Sequence, residues 1–87
     1  MPSPAEAKVI ACIAEVFDNK GEAAPPLGPD TRLDASLGLD SLDFAELVVR
    51  LEARFGGDPF SHGASERVGT VAELARLYED PRWQRAG

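Results

Sequence analysis

The chain has 87 residues, 44% of them hydrophobic, and a formal charge of −6, which provides apolar side chains for one small core. That charge repels a phosphate backbone, so nucleic acid is not an expected partner and basic protein surfaces are. A single Cys and a single His exclude an internal disulfide and the usual Cys/His zinc constellations, so no metal site is expected.

The amino-terminal MPSPAEAKVI has no basic segment followed by an apolar run and a small-residue cleavage site, so it does not read as a secretory signal. The longest uninterrupted apolar stretch, VIACIA, is too short for a bilayer span. A soluble cytoplasmic protein without membrane attachment is expected. From Ser3 to Asn19 the apolar residues Ala5, Val9, Ile13, Val16 and Phe17 recur at helical spacing with Ile10 at the edge, which predicts one buried stripe. Ser3 or its neighbour suits the cap, Pro4 the first helical position, and Gly21 the end. Cys12 lies just outside the stripe and reads as a half-buried small hydrophobe.

Residues 20–40 hold three prolines and several glycines, which excludes continuous helix. A loop of this length needs a function or its own anchors. Leu27, Leu33, Leu37 and Leu39 supply candidate anchors, and a short helical turn fits residues 31–36. A second helix is predicted from Ser41 to Phe55. At 100° per residue, Phe44, Leu47, Val48, Leu51 and Phe55 share the core face, while Leu42, Ala45, Glu46, Val49 and Ala53 face the other way. Gly56 and Gly57 end it. Between them and Val68, Asp58 as cap and Pro59 as first residue permit a short third helix, tethered by Phe60 and Val68. The last helix opens on TVAE, with Thr70 and Glu73 in a capping box. Its buried positions are Val71, Leu74, Ala75 and Tyr78, and Pro81 stops it. Trp83 lies in the tail. No stretch alternates with the period of a strand. The expected fold is all-α, a small four-helix bundle with three main helices, one short third helix and a long first loop. One domain spans 1–87, with a folded core at about 4–80 and a tail at 81–87.

Ser41, between Asp40 and Asp43 where the loop becomes the second helix, admits three readings. Ser41 or Asp40 could simply cap the helix. Ser41 as a hydrolase nucleophile would need a base and an oxyanion site. The single histidine, His62, has no marked acid partner and the GxSxG elbow is absent, so no catalytic residue is assigned. As a substrate for covalent modification, a hydroxyl at a helix's amino end would place a phosphodiester beside free backbone donors and the positive end of the dipole.

The stretch LGLDSLDFAELVVRLEARFG resembles the signature of acyl carrier proteins, in which the serine of a D-S-L motif carries 4'-phosphopantetheine. Gly38, Asp40, Ser41, Leu42, Asp43, Glu46, Leu47, Leu51, Glu52 and Phe55 all suit that family's second helix. The TVAEL opening of the last helix fits too, so the resemblance runs from about residue 5 to 79. It implies a non-enzymatic carrier whose arm, donated by coenzyme A, is attached to Ser41 by a phosphopantetheinyl transferase. The arm's thiol would hold acyl groups as thioesters, loaded by a ligase or acyltransferase and passed to a ketosynthase or other acyl-processing enzymes. Asp40, Leu42, Asp43, Glu46, Val49 and Glu52 match the positions by which the family meets those partners, and Gly38 would permit close approach and a tight turn.

Arg50 and Arg54 depart from the more uniformly acidic second helix of carriers in fatty acid synthesis. They either pair with Glu46 and other nearby carboxylates or alter partner choice. The favoured expectation is a discrete carrier of a specialised pathway, polyketide or related. A peptidyl carrier loaded by an adenylating enzyme, or a helical interaction module that is never modified, are the alternatives. A monomer is expected, because no large apolar patch remains once the core is assigned.

Overall fold

The computed structural model describes residues 1–57, 59 and 68–80. Helix α1 spans Pro4–Asn19, α2 Ser41–Phe55 and α3 Val71–Glu79, with a 3-10 turn at Ala35–Leu37 in the first loop. The sequence predicts four helices. Three α-helices stand among the described residues, and the predicted short third helix falls on 58–67, where Pro59 alone is described and is buried. Phe60, His62, Pro81 and Trp83 likewise lie outside the described residues, as does the tail.

Each helix begins where a capping side chain satisfies one of its first amides. At α1 the Ser3 Oγ accepts from the Glu6 amide at 3.1 Å while Glu6 Oε1 accepts from the Ser3 amide at 2.8 Å. This is a capping box, with Pro4 in the first turn. The helix ends at Gly21, which takes φ +75°, a conformation open to a residue without Cβ. Helix α2 ends in the same way at Gly56, φ +75°.

Helix α1 packs against both α2 and α3, and its stripe is the base of the core. Ala5, Val9, Ile13, Val16 and Phe17 are buried and Ile10 is half-buried, as the periodicity predicts. Cys12 is fully buried where half-burial was expected. Its position at the stripe's margin is closed because neighbours cover α1 from two directions. Burial pushes its thiol pKa up. From α2, Leu47 and Leu51 are fully buried, with Phe44 and Phe55 partly so. From α3 come Val71, Leu74, Ala75 and Tyr78, joined by Leu77. The Phe55 and Tyr78 rings meet with centroids 5.4 Å apart.

The long loop is held more firmly than its leucines alone would hold it. Leu27, Leu33, Leu37 and Leu39 do pack on the core, but backbone pairing to α3 is added. The Val71 amide donates to the Thr31 carbonyl at 3.0 Å, the Ala72 amide to the Pro29 carbonyl at 2.9 Å, and the Leu33 amide to the Gly69 carbonyl at 2.9 Å. Two first-turn amides of α3, unpaired within the helix, are thereby satisfied by the loop. The third, on Glu73, donates to Thr70 Oγ1 at 3.2 Å. The expected capping box is modified at its return bond: Glu73 Oε1 accepts from the Gly69 amide at 2.9 Å, one residue upstream of the cap.

The core is small, so its large side chains dominate stability. Leu47→Ala is expected to cost about 2–5 kcal/mol, whereas Val49→Ala on the opposite face of α2 should change stability by less than about 0.5 kcal/mol. Urea unfolding of the two variants beside the parent chain checks this contrast.

Candidate functional site

The first turn of α2 is built by Gly38 and Asp40 before its serine and Asp43 after it. Gly38 takes φ +98°, which turns the chain toward the helix. A Cβ there would lie 3.8 Å from the Phe17 ring, an ordinary contact, so the turn and not close approach requires glycine. Asp40 is the N-cap: its Oδ1 accepts from the Asp43 amide at 2.8 Å, and Asp43 Oδ2 accepts from the Asp40 amide at 3.2 Å. The two aspartates form a reciprocal capping box with an aspartate in the place usually held by Glu or Gln. Cap duty therefore falls to Asp40. Ser41 follows as the first helical residue and is exposed, its hydroxyl beside the unpaired amides of the first turn and the positive end of the helix dipole.

The two aspartates differ in surroundings. Asp40 is exposed. Asp43 has a side chain only 15% exposed and pairs with the ammonium of Lys20 at 2.8 Å. Lys20 caps the end of α1 and also donates to the Gly38 carbonyl at 3.1 Å. The hydrogen bond from Lys20 holds the Asp43 carboxyl below the usual carboxylate range, and the same bond raises the Lys20 pKa.

Along the rest of α2, Leu42 is 79% exposed and Val49 64%, with Ala45 and Ala53 exposed between and beyond them. Glu46 and Glu52 are half-buried. Glu46 accepts from Asn19 at 3.4 Å and pairs with Arg50 at 3.4 Å. Arg50 also reaches across to Glu15 of α1 at 3.1 Å, and Arg54 pairs with the other Glu15 oxygen. Arg50 thus meets Glu46 at helical spacing, as the sequence suggests, but both arginines converge on a carboxylate of the neighbouring helix that local spacing does not reveal. Lys20 was likewise absent from the candidate residues. Its only local signal is a cation at a helix carboxyl end, where the dipole favours it. Among the described residues no group of three or more His, Cys, Asp or Glu is placed to hold a metal ion, and no helix is long and apolar enough to cross a membrane.

A family model described as a phosphopantetheine attachment site matches residues 7–78. A curated acyl carrier protein from Rickettsia bellii (strain RML369-C) is 40% identical over 75 residues, covering 86% of this chain and 83% of the relative. The chain belongs to the acyl carrier protein family. The solution structure of MacpD, an acyl carrier protein from Pseudomonas fluorescens involved in mupirocin biosynthesis, matches this carrier with a TM-score of 0.74 at 36% identity. That match covers 94% of this chain and 74% of MacpD. As a member of this family the carrier is not an enzyme. It bears a covalent 4'-phosphopantetheine, received from a phosphopantetheinyl transferase, and it serves acyl-processing enzymes.

The Lys20–Asp43 pair sets a pH dependence. The folded-state pKa of Asp43 is depressed, so its stabilising contribution is present above the unfolded value of about 3.9 and is lost as pH falls through the folded value. That of Lys20 is raised, so its contribution persists below about 10.4 and is lost only as pH climbs past the folded value. Urea midpoints of the parent chain and Asp43→Asn should therefore differ at neutral pH and converge in acid below the depressed carboxyl pKa.

Proposed function

We propose that this carrier bears its 4'-phosphopantetheine on Ser41 and presents acyl thioesters in polyketide or related natural-product synthesis. The observation that carries the first part is the division of labour at the start of α2. Asp40 supplies the cap, which leaves the Ser41 hydroxyl exposed and without a structural duty at the helix end. That hydroxyl suits a nucleophile that a transferase directs at coenzyme A. The phosphodiester so formed would lie at a helix amino end of 15 residues, where backbone donors favour it. When bound, the arm supplies the thiol on which an acyl group is held. The chain acts as one carrier domain over residues 1–87, in the cytoplasm and as a monomer.

Partners would meet the amino end and outer face of α2. Asp40 offers an exposed charge, and Leu42 and Val49 offer largely exposed apolar surface. Asp43, Glu46 and Glu52 complete the acidic set. Glu46 and Asp43 are shared with intramolecular partners, so their share in recognition is expected to be smaller than that of Asp40. The likeness to MacpD, which is involved in mupirocin biosynthesis, supports the specialised assignment. So do Arg50 and Arg54, whose positive charge lowers the acidity of α2.

Intact-protein mass before and after incubation with coenzyme A, magnesium and a broad-specificity phosphopantetheinyl transferase tests the attachment. The parent chain should gain one phosphopantetheine and Ser41→Ala none. Gain by the alanine variant would remove Ser41 from the role. For the pathway, the malonyl-loaded carrier is offered to a fatty acid synthesis ketosynthase and to a polyketide ketosynthase. Turnover should be the greater with the polyketide enzyme, and the reverse order would overturn the specialised assignment.

A further inference from the structure

The carboxyl end of α1 and the amino end of α2 are joined by one side chain. Lys20 donates to the Gly38 carbonyl at 3.1 Å and to Asp43 Oδ2 at 2.8 Å. It lies 5.5 Å from the centroid of the Phe17 ring and 3.8 Å from Glu22. The ammonium side chain is only 24% exposed, unusual for a lysine, which normally extends into water. Asp43 Oδ2 accepts from Lys20 and from the Asp40 amide together. The three residues that this network grips, 38, 40 and 43, bracket residue 41 on both sides.

A pair of this kind at a protein surface contributes little to stability, because salt and water screen it and two side chains are immobilised to form it. What it does determine is geometry. With Gly38 at φ +98° and the capping box closed through Asp43, the direction in which the first turn of α2 leaves the loop is referred to α1. Rigid elements with supporting hydrogen bonds present a reacting group more accurately than loops do.

We propose that Lys20 is a positioning residue for attachment of the arm: it holds the turn from Gly38 to Asp43 against α1, so that the Ser41 hydroxyl meets the transferase in one orientation. This rests on the reading of Ser41 as the attachment residue. Lys20 does not touch the reacting atoms. It acts through the Gly38 carbonyl and the Asp43 carboxylate, and its effect belongs to the turnover step more than to encounter. Charge alone predicts the opposite sign. Removal of a lysine makes the chain one unit more acidic, which speeds encounter with a basic partner surface.

The test compares initial rates of arm transfer to the parent chain, Lys20→Met, Lys20→Arg and Lys8→Met, with coenzyme A, magnesium and one transferase, over a range of carrier concentrations. Lys20→Met should lower kcat by about tenfold, the scale of a modest misplacement of a reacting group, with little change in KM. Lys20→Arg, which keeps a cation and donors, should restore most of the loss. Lys8→Met, an equal change of charge on the far part of α1, should load at the parent rate. Backbone amide resonances of Asp40 and Asp43 should move in Lys20→Met while those of α3 stay in place. If Lys20→Met fails to fold at the assay temperature, Asp43→Asn decides by the same comparison. An unchanged kcat in the folded variant, or an equal loss in Lys8→Met, overturns the positioning role. A parent chain that gains no arm at all overturns the Ser41 reading instead, so the two failures are told apart.

Discussion

An α-helix begins with amides that have no acceptor inside it, and the way each helix here meets that constraint decides where the functional residues stand. Helix α1 uses a serine and a glutamate. Helix α3 uses Thr70 together with carbonyls of the long loop, so the loop is fixed by the same bonds that begin the helix. Helix α2 uses two aspartates, one on each side of the serine. Had Ser41 itself been the cap, its oxygen would be turned inward to accept from an amide. With Asp40 in that place the serine moves one position inside, where its side chain is free to leave the surface.

The contact between α1 and α2 combines a buried apolar side with a polar side. Val9, Ile13, Val16, Leu47 and Leu51 are fully buried, and each such side chain contributes about 1.5–3 kcal/mol through removal from water. Beside them runs a ladder of charges. It pairs Lys20 with Asp43 and Glu15 with Arg50 and Arg54. Exposed pairs are each worth less than about 1 kcal/mol, so the ladder sets the register of two antiparallel helices more than it sets their stability. It also draws the arginines toward α1. The face of α2 turned away from the core is left with Asp40, Leu42 and Val49 as its exposed features.

Three helices and their boundaries were legible in the sequence because their causes are local. Periodicity marked the buried stripes, and glycines marked the ends of α1 and α2. The Ser3–Glu6 capping box is equally legible in SPAE, where Ser and Glu stand three residues apart. What the sequence did not disclose depends on how elements lie against one another. Glu15 and Arg54 are 39 residues apart and Lys20 and Asp43 are 23 apart. No spacing rule connects such pairs. Full burial of Cys12 had the same origin, since a residue at the margin of a stripe is covered or left open by the number of neighbours its helix acquires. The pairing of the loop with α3 is a backbone event and leaves no signature in side-chain pattern. At the site itself, the exposed serine and the outward Leu42 and Val49 followed from motif and period. The engagement of Asp43 did not, because an aspartate in a first turn looks the same whether it faces solvent or a lysine of another helix.

That engagement separates two demands on one short segment. A carrier must keep its attachment point in a fixed place, and it must also be released by each enzyme that handles it. Fixing the turn through Asp43 and Lys20 confines the first demand to groups only partly open to solvent. The second falls to Leu42 and Val49, and to Asp40, which is exposed even though its Oδ1 also caps the helix. Isolated exposed apolar residues form a contact too small to hold a partner permanently, and a charge at the rim of such a contact governs encounter more than residence. Rigidity at the serine and weakness around it are therefore compatible, because Lys20 and Asp43 hold the turn while Leu42 and Val49 face outward, and Asp40 alone serves both.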